Sequence, residues 1–172
     1  PEAGHPVHTL MEEHRVILQS LDELQAAADR LKQTESLDAV GEDLHRLKHA
    51  AQHLMEAESH HEREENALFP LLEKHDVVEP PEIMKEEHTD LRKHKQRLLE
   101  LAEQPQAQAF DRFKQEVLEV SDYLTSELRN HIFKEDNILD QIALQVLSDE
   151  EWAEIKRVAD DIGYCFFTPE EA

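Results

Sequence analysis

Apolar side chains recur along this chain at the three- and four-residue spacing of a helix, over four long stretches. Val7, Leu10, Met11, Ile17, Leu18, Leu21, Leu24, Ala28 and Leu31 trace the first, which Pro6 can open at its first turn. Thr34–Ser36 interrupts the pattern. A second stretch runs from about Leu37 to Lys74 on Leu44, Leu47, Ala51, Leu54, Leu68, Phe69 and Leu72, with Pro70 placed to kink its last turn. Asp76–Pro81 reads as a loop, and Pro80-Pro81 starts a third helix that ends near Gln104-Pro105. The fourth runs from about Gln108 to Ala143 on Phe110, Phe113, Val117, Val120, Leu124, Leu128, Ile138 and Ile142. Ser148, with Glu151 three residues on, is a capping box for a short fifth helix that Gly163 stops after Ile162. Short links favour antiparallel neighbours. The pattern therefore predicts an all-α protein: an up-down-up-down four-helix bundle over about 6–143 and a C-terminal helix over about 148–162, in one domain spanning 1–172. No internal repeat or heptad run stands out.

Composition agrees. Three glycines and seven prolines in 172 residues are too few turn formers for an all-β chain, and helix formers dominate. The formal charge of −22 repels nucleic acid and anionic membrane surfaces and attracts cations. Cys165 is the single cysteine, so no internal disulfide forms and a cytoplasmic setting is expected. No apolar run reaches the roughly 18 residues of a membrane helix, and no signal peptide is visible. The chain opens at Pro1 without an initiator methionine, which suggests processing or a domain of a longer protein.

Twelve histidines change the picture. On a uniform wheel of about 100° per residue, Val7, Leu10, Leu18, Leu21 and Ala28 lie within about 40° of His14. In the second helix His61 and Glu65 fall on the apolar side, with Glu58 beside them and Glu62 near its edge. His45, His49, His53, His60 and Glu64 run along the opposite flank. In the third helix His88 and His94 sit at the two edges of the inner face. In the fourth, His131 and Glu135 point inward.

Height separates the candidates on the third helix. His14 and His88 each lie 8 residues past the proline that opens their helix, and His61 and His131 lie 12 residues before Glu73 and Ala143. In the antiparallel layout all four sit roughly 12–18 Å from one end, whereas His94 sits about 9 Å beyond His88. A single inward histidine is ordinarily a hydrogen-bonded core residue. Four at one height, with two glutamates one turn away, are different, because buried carboxylates need pairing or coordination. No Lys or Arg stands well placed on these faces except Lys95, so a cation is the expected partner. Mixed imidazole and carboxylate donors suit iron, manganese or zinc rather than calcium, and there are too many for one tetrahedral zinc. Two metal ions bridged by carboxylates follow.

The segments MEEHRVIL around His14, HHEREENALFPLLEKH around His61, IMKEEHTDLR around His88 and HIFKEDN around His131 resemble the hemerythrin-like HHE cation-binding domains. The GHPVH opening and DIGYC close are similar to prokaryotic HHE domains that precede PAS-type sensor modules. The His-Glu-x-x-Glu-Asn stretch is similar to the iron-sensing domain of an F-box ubiquitin-ligase subunit. The resemblance implies two iron ions (Fe2+/Fe3+, with an oxo or hydroxo bridge, zinc or manganese as substitutes). It makes Glu65 and Glu135 the bridges, puts His14 and His61 on one ion and His88 and His131 on the other, and adds Glu62 as an extra ligand. It implies oxygen, nitric oxide or a peroxide as the small partner, and an attached or partner signalling domain.

Hemerythrins carry two histidines one turn apart on the third helix. Here Met84 and Arg92 flank His88, so one histidine is missing, with His5 and His8 as candidate substitutes and His60/Glu64 as a rival to His61/Glu65. A less saturated site fits a sensor better than an oxygen carrier. The alternative is a di-iron enzyme of the peroxide-consuming or iron–sulfur-repair type. No Ser/His/Asp nucleophile motif, HExxH or phosphate loop is present, so no side chain is nominated as catalytic and any chemistry would belong to the metals.

Overall fold

In the computed structural model, which describes residues 1–172, the regular structure is entirely helical. Helix α1 spans Pro6–Lys32, opens on a proline and carries Arg30 and Lys32 in its last turn, where positive charge complements the helix dipole. A 3-10 turn (Leu37–Ala39) and Gly41, whose φ of 53° a side chain would resist, lead into α2 (Glu42–Glu56). Then come α3 (Glu58–Arg63), a π-helical turn (Glu64–Leu68) and α4 (Phe69–Lys74). Helix α5 spans Glu79–Glu103 and α6 spans Phe110–Lys134. A second π-helical turn (Glu135–Leu139) precedes α7 (Asp140–Val146). Helix α8 (Asp149–Ile162) starts on the Ser148–Glu151 capping box and ends at Gly163, φ 96°. No helix is long and apolar enough to cross a membrane.

The second and fourth predicted helices are thus interrupted. Pro70 is the second residue of α4, directly after the π turn. Proline is not what makes a π turn here, because Asp140-Gln141 follows the second one. Each π turn adds one residue to the register. Ile138, predicted to face inward, is accordingly 49% exposed, and Leu139 and Ala143 are buried in its place.

The chain divides into two compact units. One comprises 1–16, 56–89 and 130–172, with an apolar core that includes Val7, Leu10, Leu68, Phe69, Leu72, Met84, Leu139, Trp152 and Ile155. The other comprises 17–55 and 90–129. Its buried residues include Leu21, Leu24, Leu47, Leu54, Leu98, Phe113 and Leu124, and Arg30–Asp43 and Arg97–Glu116 ion pairs lie on its surface.

Candidate metal centre

All the chemistry that follows lies within the first unit. There the structure brings five histidines and two glutamates into two overlapping groups. One is His14, His60, Glu64 and Glu135; the other is His61, Glu64, His88 and His131. In each group the donor atoms lie within 4.8 Å of one another, and every member is buried.

The two glutamates face both groups, one oxygen to each. Glu64 Oε1 is 2.9 Å from His60 Nε2, and its Oε2 is 3.2 Å from His88 Nε2. Glu135 Oε2 is 3.1 Å from His14 Nε2, and its Oε1 is 2.8 Å from His131 Nε2 and 3.7 Å from His88 Nε2. Each carboxylate thus lies between a half with two imidazoles and a half with three. His88 and His131 turn their Nε2 atoms to within 3.0 Å of each other. Donors about 2.1 Å from one ion and at right angles to each other stand about 3 Å apart.

The outer edges of the rings are also held. His14 Nδ1 is 2.7 Å from Asp136, His60 Nδ1 2.6 Å from Glu13, His88 Nδ1 3.0 Å from Glu65, and His131 Nδ1 2.9 Å from Glu87. An outer carboxylate on Nδ1 fixes the tautomer that leaves Nε2 free to bind a metal. Arg63 Nη2 donates to Glu13 at 2.6 Å, and Lys134 donates to Glu87. These two cations were not picked out from the sequence. They offset the outer carboxylates rather than the inner ones.

These pairings reveal a repeat that the sequence reading passed over. Glu12-Glu13-His14 corresponds to Glu86-Glu87-His88, and His60-x-x-x-Glu64-Glu65-Asn66-x-Leu68 to His131-x-x-x-Glu135-Asp136-Asn137-x-Leu139. Both π turns begin on the inner glutamate, Glu64 or Glu135. Glu13 serves His60 as Glu87 serves His131, and Asp136 serves His14 as Glu65 serves His88. His61 breaks the symmetry, since its counterpart is the buried Ile132.

Two of the expected ligands lie outside both groups. Glu65, expected as a bridge, is half-buried with its Oε1 3.0 Å from the outer nitrogen of His88, and Glu64 stands in the inner place. Glu62 is exposed and belongs to neither group. The cause is the first π turn. With its extra residue discounted, His60 falls within about 20° of Leu68 and Leu72, and Glu64 within about 20° of Leu72, while Glu65 swings about 120° away. His60 therefore joins the centre. His61, about 80° from Leu72 on the same count, is buried as the third imidazole of the other half. His14, His88, His131 and Glu135 lie in the two groups as well. His5 accepts the Val7 backbone N–H and lies against Trp152, and neither it nor His8 enters a group. Met84 is core, so no residue on α5 replaces the missing histidine.

Charge is balanced unusually for a protein interior. Burial alone would raise the Glu64 carboxyl, but His60, His61 and His88 outweigh it and hold it well below the ordinary range. Glu135 is lowered in the same way by His131 and His14, against burial and the repulsion of Glu64. Burial disfavours charged His88, yet Glu135, Glu64 and Glu65 push it up to about 11. Glu13 is brought down to about 2 by His60 and Arg63, against burial. Two ionised inner carboxylates thus demand positive partners, whether protonated imidazoles or cations.

Contact between these groups is close but poorly aligned for hydrogen bonds. His14 Nε2, His60 Nε2 and both oxygens of Glu135 are buried without a hydrogen-bond partner, although charged neighbours stand 2.8–3.1 Å away. Such orphaned atoms ordinarily cost about 1–3 kcal/mol each. Divided between the two groups of donors, these atoms fit metal ions.

Residues 5–143 match the hemerythrin HHE cation binding domain. The chain belongs to this family. No curated protein matches it. Membership makes the HHE domain a metal-binding one, and its His/Glu groups are where the ions would be held.

Proposed function

We propose that this HHE domain holds two iron ions bridged by Glu64 and Glu135, and that it senses or binds oxygen, nitric oxide, redox state or iron. The observation that carries the reading is the division of oxygens: each glutamate gives one to the two-histidine half and the other to the three-histidine half. One ion cannot use both oxygens of both residues in that disposition. Imidazole with carboxylate suits iron, with zinc or manganese as substitutes. His14 and His60 would hold one ion, and His61, His88 and His131 the other. The first ion would have fewer imidazole donors than the second. Iron bound there supplies redox and ligand-binding chemistry; the chain supplies the bridges, the oriented imidazoles and the buried setting.

The proposal extends to a cytoplasmic setting, to four long helical spans alternating in direction as their short connections favour, and to an attached or partner signalling module that receives the output. Metal analysis of protein purified without added metal is the test. About two iron per chain, with an absorption change on oxidation, is expected. Zinc alone, or fewer than one ion per chain, would overturn it.

A further inference from the structure

The internal repeat makes an uneven comparison possible between the two halves of the centre. Directly after the equivalent residues Leu68 and Leu139 come Phe69 and Asp140. Phe69 is fully buried, and its ring lies parallel to that of His88, centroids 6.2 Å apart at 13°. Asp140 is as deeply buried, 2% exposed, and its Oδ2 has no hydrogen-bond partner. Asp140 comes five residues after Glu135 across the second π turn, so it lies one turn on along the same helix face, and the repeat sets it toward His14 as Phe69 is set toward His88, although it belongs to neither group of donors. The half with three imidazoles therefore has an aromatic wall, while the half with two has a carboxyl group in the corresponding place.

A carboxyl oxygen shut away from water without a partner destabilises a fold. No lysine or arginine partners the Asp140 Oδ2, and an apolar side chain stands at the repeat position. The feature calls for a ligand.

We propose that Asp140 is a further metal-binding carboxylate, serving the ion held by His14 and His60 directly or through one bound water. This rests on the two-ion reading above. It makes the two positions chemically unequal: three imidazoles on one side, two imidazoles and an added hard oxygen donor on the other.

The test titrates metal-free protein with Co2+ alone, in competition with a chelator, for the unaltered chain and for Asp140→Leu and Asp140→Asn. The unaltered chain should take two ions. Both variants should keep one ion at unchanged affinity and weaken the other at least tenfold, and the cobalt absorption bands of the weakened ion should shift. Metal-free Asp140→Leu should melt higher than the unaltered chain, because an orphaned buried carboxyl has been removed. Phe69→Leu is the control and should leave the weaker ion as it was. Two ions bound with unchanged affinities in both variants would overturn the proposal, as would a lower melting temperature of metal-free Asp140→Leu with normal binding, which marks a structural acid. Failure of the unaltered chain to bind two ions would instead overturn the two-ion reading itself.

Discussion

At the scale of single residues, neighbours in sequence have different tasks. Glu64 and Glu65 are adjacent, yet one sits between the two histidine groups and the other steadies the back of His88. Glu64→Ala should abolish binding of both ions, while Glu65→Ala should weaken binding by about 10–100-fold, the usual effect of removing an outer support. Equilibrium dialysis against a metal buffer checks the order, and equal losses would contradict it. The histidine directions were legible wherever the helix is regular: His14 and His131 are buried as a uniform wheel requires, and so is His88, which the wheel left level with His94 and height along the bundle preferred. The outer carboxylates were not legible, because a wheel shows which way a side chain points but not what waits there. Proton linkage gives a second prediction for the metal-free protein. Glu13 titrates near 2 instead of 4.5, so its contribution is full above about 4.5 and is lost as pH falls toward 2. His88 titrates near 11 instead of 6.5, so its contribution is full below about 6.5 and is lost as pH rises toward 11. Melting temperature should therefore peak between about pH 4.5 and 6.5. Metal binding releases the imidazole protons, so the loaded protein should hold its stability to higher pH. Thermal melts across pH, with and without metal, would show the two profiles separating on the alkaline side.

At the scale of elements, the two π turns decide which acid reaches the interior. Four long helical spans could be read from apolar spacing, as could the Ser148 cap and the Gly163 stop. The interruptions could not, since a π turn has no composition of its own: Glu-Glu-Asn-Ala-Leu and Glu-Asp-Asn-Ile-Leu read as ordinary helix. The signal available was the repetition of those five residues behind two His-x-x-x-Glu pairs. Deleting Asn66 should convert the first π turn into regular helix. Everything before it would then rotate by about 100° relative to α4. The expected result is near-normal helical circular dichroism with loss of metal at His60 and Glu64. Retained two-ion binding would show that the extra residue does not set the register.

At the scale of the whole molecule, the entire centre belongs to one of the two compact units, and so does the C-terminal segment. That segment meets the outer carboxylates of one half only. The Thr168 hydroxyl donates to Glu13, Cys165 Sγ lies 3.0 Å from the Ser59 hydroxyl and 3.6 Å from Arg63 Nη2, and the Arg63 guanidinium lies over the Tyr164 ring. Glu87, the counterpart of Glu13, is held by Lys134. Ending the chain after Gly163 should therefore loosen the ion at His60 and spare the one at His131, a selective change that stepwise chelation would resolve. Traffic in the other direction follows by reciprocity. Whatever strengthens the grip of His60 on its ion tightens residues 164–168, and whatever relaxes it frees them, so the state of a buried centre can be read in the segment after α8 without any helix having to move.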